Sequence, residues 1–274
     1  MTAKTTVEAR GFNIPLVGLG TWALRGRDCA RLVEQAIRIG YRHIDTAQMY
    51  ENEREVGEGV RNSGKRAEVT VTTKVQPTLL SPSDLERSVK ESLARLRIDV
   101  IDLLLVHWPN PRVPLAETLG AMSKMKREGL ARQIGVSNFT VTLLEEANKV
   151  SPEPLVCNQI ECHPFLNQDK VIAACKSYDM AVVAYSPIAR GQATGDDVLA
   201  RIGKAHGKSA AQISLRYLVQ QNIAVIPRTG KLERLQANFS IFDFDLSSGE
   251  MKEIAGLARR GGRIVDWTWS PKWD

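Results

Sequence analysis

The chain is poor in the patterns that mark several protein classes. It has four cysteines, Cys29, Cys157, Cys162 and Cys175, and none is spaced as C-x-x-C. That leaves no zinc knuckle and no dithiol motif, and points to free buried thiols in a reducing compartment. No apolar stretch approaches the ~20 residues of a membrane span. The opening MTAKTTVEARG lacks the apolar core of a secretory signal. The net charge is +6, but basic residues are scattered, without a run of five. Neither a nucleic-acid arm nor a membrane-surface helix is therefore expected. These absences point to a cytoplasmic protein with no membrane or nucleic-acid partner.

What is present is alternation. At 274 residues, 43% hydrophobic and 25% charged, the chain has ample core material, and one α/β barrel of about 250 residues fits as well as two domains. TTVEARGFNIPL reads as a hairpin turning at Arg10-Gly11. Eight strand-like runs follow: LVGLG, YRHID, VTVTTK, VIDLLLVHW, RQIGVSN, LVCNQIE, MAVVAYSP and IAVIPRT. Helical patterns separate them. In SPSDLERSVKESLARL, Leu85, Val89, Leu93 and Leu96 line one face, and Ser81-Pro82 reads as an N-cap followed by proline. A last helix, SSGEMKEIAGLA, and a tail, RRGGRIVDWTWSPKWD, close the chain. No shift in composition marks a linker, so residues 1–274 read as one domain.

The strand ends separate the two architectures that such alternation permits. They carry Gly20-Thr21-Trp22, Asp45, Lys74, His107-Trp108, Ser137-Asn138, Gln159 with Glu161, Tyr185-Ser186 and Arg228-Thr229. In an open doubly wound sheet, ligand groups gather at the switch point. In a closed barrel all eight ends meet at one mouth. The competing signal is GLGTWA, Gly18 to Ala23, which matches G-x-G-x-x-A. That fingerprint needs a helix opening within the glycines, and here LRGRD intervenes, with the helical pattern starting near Asp28. The expected fold is a (β/α)8 TIM barrel with an N-terminal hairpin and an extra C-terminal helix and tail. Gly18 and Gly20 then serve a close backbone approach.

GYRHIDTAQMYENE places Asp45, Gln48 and Tyr50 just past a core strand. A free phenol, with a pKa of about 10, is a poor acid. A lysine beside it lowers that pKa, and a carboxylate on the lysine keeps the ammonium charged. Lys74 and Asp45 suit these roles. His107 can hydrogen-bond the same substrate oxygen. Asp45, Tyr50, Lys74 and His107 together suggest protonation of a carbonyl oxygen while a cofactor delivers hydride. Each has a plainer reading alone: N-cap, packing, solvated lysine, core histidine.

GYRHIDTAQMYENE, TTK, DLLLVHWP, GVSNF, NQIE, YSPIARG and IPRTGKLERLQANF, in this order, resemble the aldo-keto reductase family over nearly the whole chain. The short loops and WSPKWD are most similar to bacterial members of the 2,5-diketo-D-gluconate reductase type, often active on methylglyoxal and other small aldehydes. The resemblance implies an NADPH-dependent, metal-free carbonyl reductase that works as a monomer. It makes Tyr50 the general acid, tuned by Lys74 and Asp45, with His107 orienting substrate. It places Ser137, Asn138 and Gln159 on the nicotinamide carboxamide and Tyr185 under the ring. The SPIARG segment, Ser186, Pro187 and Ile188 on to Gly191, would follow the pyrophosphate. Thr21, Trp22 and Trp108 would lie beside cofactor and substrate. Pro227, Arg228, Thr229, Gly230, Arg234 and Asn238 would form the adenosine end, where two guanidiniums suit the 2′-phosphate.

The sequence departs from the family in places. Arg228 stands where lysine is usual. Ala237 stands where glutamate often contacts adenine. VQPT follows Lys74 where many relatives place a pocket tryptophan, so an open, tolerant pocket is expected. Trp267, Trp269 and Trp273 read equally as a tail anchor or a substrate wall. His43 and His163 read as structural, and His206 as a helix C-terminal cation. A second reading is an NADPH-binding redox sensor of the same fold with poor turnover. A short-chain dehydrogenase is excluded by the lack of Y-x-x-x-K.

Overall fold

The computed structural model of the chain describes residues 5–259 and 261–274. Strands β1 (Thr6–Ala9) and β2 (Phe12–Pro15) form an antiparallel hairpin. Arg10 and Gly11 carry φ of 50° and 76°, as a two-residue turn between twisted strands requires. The Arg10 guanidinium donates to Tyr178 O and Asn148 Oδ1, tying the hairpin to the barrel end opposite the strand C-termini.

Eight parallel strands follow in sequential order: β3 (Leu19–Gly20), β4 (His43–Asp45), β5 (Thr70–Val75), β6 (Ile101–Val106), β7 (Ala131–Ser137), β8 (Leu155–Glu161), β9 (Ala181–Tyr185) and β10 (Ala224–Val225). The last meets the first. Gly18 N donates to Val225 O at 2.9 Å, Val225 N to Leu16 O at 2.8 Å and Gly20 N to Pro227 O at 3.2 Å. The sheet is thereby a closed (β/α)8 barrel, and the open doubly wound alternative falls. A Cβ on Gly20 would lie 2.6 Å from Ile226 O, so this glycine serves the close approach expected of it. All residues of β6 and β8 are buried, as in a sheet covered on both faces.

The helices are α1 (Gly26–Ile39), α2 (Glu53–Asn62), α3 (Pro82–Leu96), α4 (Leu115–Arg127), α5 (Val141–Val150), α6 (Asp169–Ser177), α7 (Asp197–His206), α8 (Ala210–Val219), α9 (Leu232–Phe239) and α10 (Ser248–Ala255). Leu85, Val89, Leu93 and Leu96 are buried on α3, as their spacing predicts. Two local expectations need correcting. Helix α1 begins at Gly26, two residues before Asp28, still six residues past Gly20. Ser81 occupies the N-cap of α3, but its hydroxyl donates to Asp84 Oδ2 at 2.7 Å and makes no backbone cap.

Candidate active site

Asp45 ends β4 and Lys74 lies near the end of β5, one strand over. Lys74 Nζ donates to Asp45 Oδ1 at 2.6 Å and to Thr46 O at 2.9 Å. Both side chains are at most 1% exposed. Burial pulls the lysine pKa down, and contact with Asp45 opposes it. The other carboxylate oxygen, Oδ2, accepts from Gln159 Nε2 at 2.7 Å. The charge is thus paired and hydrogen-bonded on both oxygens, as a buried carboxylate requires.

Tyr50 sits in a 3₁₀ turn, Gln48–Tyr50, ended by Glu51 at φ 53°. The polar residues around it brace this turn. Gln48 Nε2 donates to Ser92 Oγ on α3, while Gln48 Oε1 accepts from Gln76 N. Asn52 Nδ2 donates to Thr21 O and Leu24 O, and Asn52 Oδ1 accepts from Thr46 Oγ1. The Arg25 guanidinium donates to Tyr50 O. Held this way, the phenol oxygen lies 3.4 Å from Lys74 Nζ and faces the cavity.

One electrostatic expectation fails here. The Tyr50 pKa is raised well above 10.0, first by burial and then by the Asp45 charge. Burial and the Asp45 charge together outweigh the lysine. The resting phenol is therefore a loaded proton donor. Its oxygen accepts from the ammonium, which leaves the O–H free to donate into the cavity. The ammonium acts on the phenolate that forms as the proton leaves, where charge develops.

His107 follows β6, its ring edge-on to Tyr50 with centroids 5.6 Å apart. Burial and the Lys74 charge hold its pKa well below 6.5, so the ring is neutral at physiological pH. Asn138 Nδ2 donates to His107 O, and Asn138 Oδ1 accepts from the Tyr185 hydroxyl at 2.8 Å. Ser137 Oγ donates to Gln159 O. Both Asn138 and Ser186 have positive φ, 63° and 50°, a sparsely populated conformation that clusters at functional sites.

These groups surround one cavity of ≈ 450 Å³ at the barrel mouth. Asp45, Tyr50, His107, Ser137, Asn138, Gln159 and Tyr185 line it, as do Trp22, Trp108, Ser186, Pro187, Ile188, Gly191, Arg228 and Arg234. Lys74 lies behind Asp45 and Tyr50. Thr21, Pro227, Thr229, Gly230 and Asn238 are not at the cavity wall. Thr21 is buried and donates to Asp45 O, Thr229 Oγ1 accepts from Lys231 N ahead of α9, and Asn238 is buried on α9.

Sequence reasoning missed Met49, Ile226 and Val265 in the wall, and left Trp267 open. Arg190, within the SPIARG segment, has φ 51° and its guanidinium 5.1 Å from the Trp22 ring. Trp267 takes the substrate-wall reading that the sequence left open, whereas Val265 is a tail residue far from any strand end that nothing local in sequence signals.

A phenol kept protonated at the floor of a closed barrel's mouth, with a cation behind it, is an arrangement that can donate a proton to a bound oxygen. The model of the Aldo/keto reductase family matches residues 16–259. The chain is 39% identical over 265 residues to the methylglyoxal reductase DkgB of Escherichia coli O157:H7, covering 95% of this chain and 99% of that protein. It is 38% identical over 257 residues to the glyoxal reductase of Bacillus subtilis (strain 168), 93% of each. A crystal structure provisionally described as a 2,5-diketo-D-gluconic acid reductase B superposes with a TM-score of 0.97 at 44% identity, covering 100% of this chain and 98% of that one. The chain belongs to the aldo/keto reductase family and is an oxidoreductase.

Proposed function

We propose that the protein uses NADPH to reduce small aldehydes, ketones and dicarbonyls to alcohols, methylglyoxal foremost and 2,5-diketo-D-gluconate within the same class. The observation that carries this reading is the Tyr50 hydroxyl at the cavity, with Lys74 Nζ 3.4 Å behind it. The lining fits an anionic dinucleotide. Arg190, Arg228 and Arg234 face the cavity against one carboxylate, Asp45, which is already paired with Lys74. Among the described residues none of the three arginines has a carboxylate partner. Arg228 and Arg234 suit the 2′-phosphate, and Ser137, Asn138 and Gln159 the carboxamide, with Tyr185 against the ring. Asn238 faces away and Ala237 has no polar group, so the arginines carry the adenosine end.

When bound, NADPH supplies hydride to the carbonyl carbon. The protein's own part is acid catalysis and positioning. His107, neutral, holds the carbonyl oxygen towards Tyr50. Tyr50 gives that oxygen its proton, and Lys74 stabilises the phenolate left behind. Asp45 fixes the ammonium. Trp22, Trp108, Met49 and Trp267 make the wall around the substrate apolar. The same proposal has the enzyme acting as a cytoplasmic monomer, one barrel domain over residues 1–274.

Loss of nicotinamide absorbance with methylglyoxal tests this, using NADPH and NADH and the Tyr50→Phe variant. Turnover with NADPH that falls about 10²–10⁴-fold in the variant, with cofactor affinity kept, is expected for a lost general acid. Wild type as slow as the variant would instead favour the binding-only reading. A strong preference for bulky polycyclic ketones overturns the substrate assignment.

A further inference from the structure

Glu161 ends β8, two residues past Gln159, and is fully buried. It does not line the cavity, and the chemistry above does not use it. Its carboxylate nevertheless binds three donors. Oε1 accepts from Ile264 N at 2.6 Å and from His163 Nε2 at 2.9 Å. Oε2 accepts from Val265 N at 2.7 Å. The histidine tautomer is set by the backbone. Nδ1 accepts from Phe165 N at 3.3 Å, so the proton is on Nε2, the atom that donates to Glu161. Gln168 Nε2 donates to Glu161 O at 2.7 Å, holding the strand end.

The two backbone donors belong to the C-terminal tail, more than a hundred residues away in sequence. Val265 itself, and Trp267 two residues later, form part of the cavity wall. Trp267 is 52% exposed and stacks on Trp269, with centroids 6.3 Å apart at 9°. Trp269 in turn packs edge-on against Trp108 of the wall. Beyond the stack, Trp273 packs on Trp108 and the Asp274 carboxylate accepts from Val141 N, while Glu161 holds the segment just ahead of it. A buried carboxylate gripping two successive amides is a strong anchor, since charged acceptors bind N–H groups about twice as tightly as neutral ones.

We propose that Glu161 is a positioning residue for substrate. By clamping Ile264 and Val265, it fixes Val265 and Trp267 as the apolar wall that recognises the side chain of an aromatic aldehyde. It touches neither substrate nor cofactor. This rests on the reading that the cavity is where a carbonyl is reduced.

Glu161→Gln tests it, because the amide places a donor against backbone donors at equal size. Ile264→Pro is the second variant, deleting one tail N–H that Glu161 holds without altering a side chain of the cavity wall. Each is assayed with 4-nitrobenzaldehyde and with methylglyoxal, beside Trp267→Ala and the Glu161→Gln/Trp267→Ala double variant. NADPH affinity is read by fluorescence, and amide exchange over 261–274 by mass spectrometry. For the aromatic aldehyde, KM rises about 10-fold in each single variant with kcat within about threefold, the signature of lost uniform binding. In Glu161→Gln and Ile264→Pro, methylglyoxal KM and NADPH affinity change less than about twofold, and tail amides exchange faster. The double variant is no worse than either single, because both remove one wall.

Unchanged KM with faster exchange overturns the role in recognition. Unchanged exchange overturns the clamp, as does additivity in the double variant. An equal loss for both aldehydes means general structural damage and also overturns the proposal. A wild type inert towards every aldehyde overturns the reductase reading and the recognition role together, while exchange still reports whether Glu161 holds the tail.

Discussion

Gln159 Nε2 donates to Asp45 Oδ2 across the barrel mouth at 2.7 Å, 114 residues away in sequence. This bond occupies the oxygen that Lys74 leaves free, so the ion pair has one orientation. Gln159 thus steadies the carboxylate that holds Lys74, and it also lines the cavity. Replacing it with leucine leaves a buried carboxylate oxygen without a donor, a loss of about 1–3 kcal/mol. Gln159→Leu is expected to lower the denaturant midpoint and to reduce kcat about 10-fold or more. Full activity at reduced stability would show that the bond is structural only.

The Lys74–Asp45 pair gives a sharper stability test. Lys74→Met leaves Asp45 charged, buried and unpaired, which costs about 3–5 kcal/mol. Adding Asp45→Asn removes the stranded charge. Equilibrium unfolding should therefore find the double variant more stable than Lys74→Met alone, while both remain inactive as reductases. A double variant less stable than the single would mean that the carboxylate finds other support.

The rate profile follows from two directions of shift. Tyr50 is raised above its usual range, so the proton donor stays loaded through neutral and mildly alkaline pH. His107 is depressed well below 6.5 and contributes no charge change near neutrality. kcat/KM for reduction is expected to be flat between about pH 6 and pH 9, where an unperturbed histidine would titrate at about 6.5. An acid limb centred near pH 6.5 and abolished by His107→Gln would contradict the structure.

Stability has a different pH dependence, set by His43. This residue is fully buried on β4, bonded through Nε2 to Thr72 Oγ1 at 3.0 Å. Burial brings its pKa down from 6.5 to about 4. Between those values the unfolded chain binds the proton and the folded chain does not. The stability His43 contributes is therefore complete above pH 6.5 and is lost as pH falls through 4, by at most about 3 kcal/mol. His107 adds in the same direction. Denaturation series from pH 7 to pH 4 should show the decline, and His43→Gln should flatten part of it. A profile with the same slope in both proteins would assign the decline elsewhere.

The barrel and the chemical quartet were legible because each leaves a local signature. Strand runs such as VIDLLLVHW are mostly apolar because both faces are buried, and each ends in a residue that a turn does not need. Gly20 read correctly as a backbone approach because no helix opens there. What sequence could not convey was the balance of charge. That Lys74 sits near Tyr50 was readable from adjacent strands. That burial and the Asp45 charge outweigh it and raise the phenol pKa depends on distances and exposure. Thr21 shows a related limit: a residue beside a site in sequence can point away from it in space. The tail was the least legible part. Its link to the mouth runs through Glu161 and the backbone amides of Ile264 and Val265, and backbone donors carry no residue signature.

The cofactor end yields the last expectation. Arg228 reaches back from the end of the eighth strand, donating Nε to Trp22 O at 3.2 Å and Nη2 to Ala23 O at 3.4 Å. Its plane is therefore set by the loop after β3, with Nη1 left for a ligand. Arg234 lines the same stretch of cavity from the first turn of α9, where a helix N-terminus adds its own attraction for an anion. A 2′-phosphate recruits both guanidiniums, and a 2′-hydroxyl recruits neither as a charge partner. Arg234→Ala removes only the ligand contact, whereas Arg228→Ala also frees the Trp22 loop. KM for NADPH should rise about 10-fold in Arg234→Ala, equivalent to roughly 1.4 kcal/mol, and more in Arg228→Ala. KM for NADH should stay near wild type in Arg234→Ala, so that preference narrows by loss of NADPH affinity. A parallel rise in both KM values would place Arg234 on a part of the cofactor that the two share, and would remove the arginine pair as the source of discrimination.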